Sequence, residues 1–331
     1  MKVFARGFVC LVAAVGGILD AHAEAMPVCA GRDLSTDPSV QPNYELFSDD
    51  LLNSDGLLWK IESPGVAPSY IYGTIHSTQA APVAMARKAA KELDAAKIVA
   101  TELGGPFDAS AKVNMSSALL SAAISPEEDT FAQVLTADEV AIVQRYLDAR
   151  GYTKEMAHHL RLWFLALATS LPVCEAEGEA KGLPEVDDVI ARAGVSKGLT
   201  VVGLETVADQ VAALEAISPQ LASRMLVATA RSPEFDNDAY ATLIRLYERS
   251  RPAVAIAVLS AAPGSIEQDR DAERAFTGKL LVARNIAMVQ RALPLIDRGG
   301  AFIAVGALHL SGADGLVERL RKLGFKVTAL W

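Results

Sequence analysis

The sequence predicts an α/β protein, with a central mixed β-sheet formed by both ends of the chain and surrounded and capped by many helices. Three observations predict it. Compact apolar runs of strand length lie near both ends, at 57–62, 69–75 and 97–103 and again at 301–305 and 325–330, with one more at 199–204. Between them, apolar residues recur at helical spacing. The string Gly-x-x-His also follows an apolar run twice, as Gly73-Thr74-Ile75-His76 and as Gly306-Ala307-Leu308-His309.

Residues 24–56 read as an irregular N-terminal arm with a short helix around Tyr44 to Leu52. Leu57 to Glu62 and Ser69 to Ile75 form a hairpin broken by Ser63-Pro64-Gly65. Pro82 opens a helix to about Ala95, since a first turn needs no N–H there. Lys97 to Leu103 (KIVATEL) is a compact strand. A helix-rich insertion at about 106–180 carries Val113 to Ala123, Ala137 to Arg150 and His158 to Ser170, and Glu185 to Ala193 is a further helix. Leu199 to Leu204 is the second compact strand. Helices Val207 to Ala216, Gln220 to Ala230, Asp238 to Arg249 and Asp271 to Leu295 follow. Strand 301–305, helix 312–323 and strand 325–330 close one α/β domain spanning 57–331.

The first 23 residues read as a signal peptide. Lys2 and Arg6 make a basic start, Gly7 to Leu19 an apolar stretch, and Ala21-His22-Ala23 a small-residue cleavage site. The apolar stretch is shorter than the ~20 residues of a membrane span. An exported protein is therefore expected, periplasmic or secreted. The formal charge of −9 lacks the basic footprint of a nucleic-acid binder and gives no attraction to an anionic membrane. No nucleic acid and no stable membrane insertion are expected, and the sequence sets no oligomeric state. Cys10 leaves with the signal. Cys29 and Cys174 remain, an even number in an oxidising compartment, and are expected to pair, the alternative being two buried free thiols.

A glycine at a strand end lets the chain leave the sheet without a Cβ clash, and places His76 and His309 at the carboxyl edge, where open α/β sheets build their sites. Neutral imidazoles converging with carboxylates hold divalent metals. The candidate carboxylates are Glu102 and Glu205. Each ends an apolar run, an unusual place for a charge unless it is paired or ligating. The alternative makes each a helix N-terminal acid or ion-pair partner, and Thr206 with Asp209 favours this for Glu205. Arg284 precedes the last Gly-x-x-His strand on a long helix, next to Asn285; it either pairs with a site carboxylate or oxyanion, or lies on the surface.

Other signals carry less. Gly194-Val195-Ser196-Lys197-Gly198 matches the nucleophile-elbow string, but a helix precedes it and a strand follows, so it reads as a loop. His158 and His159, at the start of an apolar helix, point about 100° apart, which favours capping or exposure over a shared site. Ser77 follows His76 with no obvious base.

With these residues in view, the chain resembles the TraB/PrgY/GumN family, which includes the Tiki metalloproteases. Three blocks carry the likeness. The first runs from LWKIESPG through YIYGTIH to KIVATEL. The second is GLPEVDDVIARAGVSKGLTVVGLETVADQ, and the third is RNIAMVQRALPLIDRGGAFIAVGALHL and the helix and strand after it. The resemblance implies an α/β fold related to the erythromycin esterase and ChaN-like group, and a metal-dependent hydrolase site. It makes His76 and His309 metal ligands or immediate site residues. Glu102 and Glu205 become acidic site residues that ligate the metal, one of them the general base. Arg284 and Asn285 line the same cleft, Arg284 toward the oxyanion and Asn285 toward substrate, and Asp187 or Asp188 falls in an acidic family position. The cofactor it implies is a divalent ion, manganese, cobalt or zinc, and the partner a peptide or other small substrate. Two function classes follow. One is an exported metal-dependent hydrolase, a peptidase, that activates water. The other is a non-catalytic exported peptide- or glycan-binding protein with the same fold.

Overall fold

A computed structural model describes residues 29–40, 52–105, 109–125, 129–262 and 278–331. The signal segment, the helix expected around 44–52 and the start of the helix expected from 271 lie outside the described residues.

Six strands form one mixed sheet: β1 (Leu58–Glu62), β2 (Ser69–Thr74), β3 (Ile98–Thr101), β4 (Thr200–Gly203), β5 (Ala301–Gly306) and β6 (Lys326–Ala329), in the order β4-β3-β5-β2-β1-β6. The two chain ends meet in it as expected. β2 pairs in parallel with β5, Tyr72 opposite Ala304 and Thr74 opposite Gly306. β3 lies parallel to both β5 and β4. β1 runs antiparallel to β2 and to β6. The parallel strands therefore end at one edge.

β5 is buried over five of its six residues, and its alternating side chains feed two cores. Ile303 and Val305 pack with Ile71, Met288, Ile296, Val317 and Leu320 on one face. Phe302 and Ala304 pack with Tyr72, Val83, Val99, Ile190 and Tyr247 on the other.

The helices on that second face include α1 (Ala80–Ala89), with Pro82 in its first turn, and α7 (Val186–Ser196). A third core belongs to helices alone. It joins α2 (Ala109–Ala123), α3 (Ala137–Asp148), α4 (Lys154–His158) and α5 (Leu162–Ser170) to α8 (Val207–Glu215) and α9 (Pro219–Arg231) around Phe131, Leu147, Trp163, Leu165 and Leu226. α6 (Val173–Ala180) connects this group to α7. α10 (Pro233–Glu248) and α11 (Val254–Ala261) clasp the N-terminal residues Leu34 and Val40. α12 (Ala283–Asp297), entered through a π-helical turn at Gly278–Val282, leads into β5, and α13 (Leu316–Lys322) into β6.

Four local expectations change. The helix expected over 158–170 is two helices, because the backbone between them bonds elsewhere. The Ser125 N–H donates to the His159 carbonyl and the Arg161 N–H to the Ala123 carbonyl, so the helical ladder cannot continue. His158 is buried there, not exposed; its Nδ1 lies 2.9 Å from Asp129 Oδ1 and its ring stacks on Phe131. α6 and α11 were not anticipated as separate helices. The 194–198 string is not all loop: Gly194 to Ser196 are the last residues of α7, and only Lys197 and Gly198, at φ +74°, turn the chain toward β4. Cys29 and Cys174 form a disulfide.

Candidate active site

The four residues singled out at strand ends reach one rim of the sheet. His76 follows β2, Glu102 follows β3, Glu205 follows β4 and His309 follows β5. The two Gly-x-x-His turns touch: a Cβ on Gly73 would sit 2.9 Å from Ala307 Cα, so only glycine lets the turns close on each other.

Two adjoining clusters occupy this rim. The first is built around Arg284. Its Nε donates to Glu205 Oε1 at 2.9 Å, and its Nη2 to Glu205 Oε2 at 2.6 Å and to Glu102 Oε2 at 2.7 Å, while Nη1 reaches the Leu280 carbonyl at 3.3 Å. Glu205 is buried and held bidentately, a geometry that arginine's planar fork provides. Thr206 and Asp209 form a reciprocal cap at the start of α8, so Glu205 is not the capping acid. Gln210 also donates to Glu102 Oε2, at 3.1 Å. The Gly306 N–H donates to Glu102 Oε1 at 2.7 Å.

His309 completes this cluster. Asn285 donates its amide N–H to the Asp314 carbonyl at 2.9 Å, which turns its Oδ1 toward His309 Nδ1, 2.6 Å away. The proton of a neutral His309 ring therefore sits on Nδ1, and Nε2 presents a lone pair. Burial pushes this ring down to about 4, against the attraction of Glu102 and with help from Arg284 and His76. Burial alone would raise Glu102; the charges of its neighbours, Arg284 and His76 among them, and the Gly306 N–H hold it below its ordinary value instead.

The second cluster lies at the mouth. His76, Glu185 and Asp187 each offer a ligand atom, all within 4.8 Å of one another, the one such group of three among the described residues. His76 Nδ1 stands 3.6 Å from Glu185 Oε2 and 3.7 Å from Asp187 Oδ2. Its side chain is 71% exposed, so the ring faces an open cleft. Pairing with Glu185 raises the His76 ring, and Asp187 and Glu102 add to the rise. Burial raises Asp187 to about 6, opposed by His76 and by a bond from Thr74. Asp187 Oδ2 is buried and has no hydrogen-bond partner. Asp188, the other acid left open by the sequence, pairs with Arg192 at 3.4 Å.

The cleft holds about 150 Å³; His76, Glu102, Glu185, Asp187 and Gln210 give it polar lining, and Leu103, Met115 and Ala191 apolar lining. The site residues named from the sequence thus share one rim but divide: His76 sits with the acids of α7, and Glu102, Glu205 and His309 sit with Arg284 and Asn285. Glu185 was missed. It follows Pro184 at the N-cap of α7, where an acid reads as a complement to the helix dipole. The signal that marks it is a second acid, Asp187, one residue beyond Val186 in the same first turn.

The sequence model of the TraB/PrgY/gumN family matches residues 57–329. No curated protein and no solved structure matches the chain.

Proposed function

The chain belongs to the TraB/PrgY/gumN family, and on that premise we propose that it is an exported metal-dependent hydrolase acting on peptides. The observation that carries the reading is the buried Oδ2 of Asp187, which accepts no hydrogen bond and lies beside His76 and Glu185. A carboxylate oxygen withdrawn from water without a donor is costly, and a cation supplies what it lacks. One imidazole and two carboxylates suit manganese, cobalt or zinc.

His76, Glu185 and Asp187 would hold the ion. Bound there, it would lower the pKa of a water molecule toward neutrality and polarise a carbonyl. Glu102, kept ionised by the charges around it, would be the base that takes a proton from water in the cleft. Arg284 has both Nε and Nη2 committed to carboxylates, so its part is to hold Glu102 and Glu205 in place. Asn285 orients His309 by fixing its tautomer, as partners of ligating histidines do. The peptide substrate follows from the resemblance to the metalloproteases. Export is supported by the Cys29–Cys174 disulfide, which persists in oxidising compartments. No helix among the described residues is long and apolar enough to cross a membrane.

The test is incubation of the purified chain with a peptide library, with and without Mn²⁺ or Co²⁺, read by mass spectrometry. Metal-dependent cleavage that is lost in His76→Ala and in Asp187→Asn is the expected result. Saturation of Arg284 by carboxylates favours a second reading, since it withdraws this arginine from an oxyanion: an exported peptide- or glycan-binding protein. Metal binding without turnover of any peptide would replace the first reading with this one.

A further inference from the structure

We propose that Glu175, on α6, is a positioning residue for His76. Its buried carboxylate gathers the two residues that follow His76 and so fixes where the imidazole stands in the cleft. Glu175 is 1% exposed. Its Oε2 accepts from the Thr78 N–H at 2.8 Å and from Thr78 Oγ1 at 2.7 Å. Its Oε1 accepts from Ser77 Oγ at 3.1 Å and from the Tyr240 hydroxyl. No ion pair reaches Glu175 among the described residues, so hydroxyls and one backbone N–H replace the water that its charge has lost. What this buried carboxyl group holds is the exit from β2.

The surroundings tighten the same segment. The Gln79 N–H donates to Ser77 Oγ at 3.1 Å, and the Cys29 N–H to Gln79 Oε1 at 3.4 Å. Cys29 is covalently bound to Cys174, the residue before Glu175. One turn further along α6, a Cβ on Gly178 would fall 2.2 Å from Thr78 Oγ1, so the helix lies as close to the loop as its backbone permits. From the far side, the Tyr247 hydroxyl donates to the Gly73 carbonyl at 2.7 Å. The loop carrying His76 is thus clamped at Gly73, Ser77, Thr78 and Gln79, while the ring itself stays exposed to the cleft. An exposed ligand side chain holds its place only if its supporting backbone does.

The role in metal binding rests on the function proposed above; the geometry does not. Two variants of the full chain with its disulfide intact, Glu175→Gln and Thr78→Val, are compared with the wild type. Readouts are the side-chain NMR signals of the histidines, with His76 assigned through His76→Ala, and Co²⁺ affinity by absorbance titration. Both variants should melt cooperatively, shift or broaden the His76 signal, leave the His158 signal in place and weaken Co²⁺ binding by about tenfold or more. Folded variants with a wild-type His76 signal and Co²⁺ affinity within about twofold would overturn the proposal. If Glu175→Gln does not fold, Thr78→Val decides by the same readouts. If the wild type binds no Co²⁺, the metal reading fails and the His76 signal alone decides the positioning.

Discussion

His309 Nε2 faces Glu102 Oε1 across 3.7 Å, and no hydrogen bond joins them. The ring's only proton is committed to Asn285. A lone pair and a carboxylate oxygen therefore look at each other in a buried site, an arrangement that a shared proton or a cation relieves. Asn285→Ala removes the acceptor that sets this tautomer. It should weaken Mn²⁺ or Co²⁺ binding by about 10- to 100-fold, as loss of a partner behind a site histidine does. Isothermal titration of the folded variant checks this.

Asp187 and Asp188 are adjacent, yet their substitutions should behave oppositely. Asp187→Asn removes the orphaned oxygen and should weaken metal binding by about 100-fold or more. Asp188→Asn loosens a partner of Arg192 and should leave affinity within about threefold. Without metal, Asp187→Asn should melt no lower than the wild type at pH 7.5, since burial already disfavours the charged carboxylate.

Arg284 neutralises two carboxylates that have little water of their own. Arg284→Met leaves them facing each other and should cost about 3–5 kcal/mol by urea unfolding at pH 7. Adding Glu205→Gln to that variant should restore part of the loss. Arg284→Lys should not rescue it, because an ammonium lacks the fork that spans both acids.

Asp236, in α10, gives a pH signature away from the site. Burial raises its carboxyl to about 6, although the Tyr146 hydroxyl donates to it at 3.3 Å. The native state therefore holds this proton more tightly than the unfolded chain does. The associated stability is complete at low pH and is lost as pH rises through about 6. Asp236→Asn should be more stable than the wild type at pH 8, by about 1–2 kcal/mol after allowance for partial exposure, and should lose that advantage near pH 4. Unfolding curves at the two pH values measure it.

The Cys29–Cys174 bond closes a loop of 145 residues. A chain-entropy estimate puts its stabilisation at about 5 kcal/mol at most. Replacing both cysteines by serine should lower the urea midpoint, and should also shift the His76 NMR signal through α6.

The sheet was legible because each strand is a short apolar run with a breaker at its end. The parallel order then carried His76, Glu102, Glu205 and His309 to one rim without further information. The acids of α7 were not legible, because Glu185 and Asp187 look like ordinary first-turn acids; only packing of α7 against β3 and β4 turns one side of that helix to the cleft. Glu175 was hidden more completely. In VCEAEGEA it has the same local setting as Glu177 and Glu179, and its burial depends on the neighbouring disulfide and on Gly178. The break at 158–161 was lost for a related reason. Backbone pairing with residues 123–125 outweighs the helical spacing of the side chains, and such pairing between distant segments leaves no periodic trace.

β2 and β5 lie side by side, although most of the polypeptide separates them. During synthesis, a chain that lacks residues 301–309 has no β5 to join β2 to β3, so His76 and Glu102 are not yet brought to one rim. Assembly waits on that strand, a slow long-range closure of high contact order. Chains cut short before β5 should consequently lack the assembled rim.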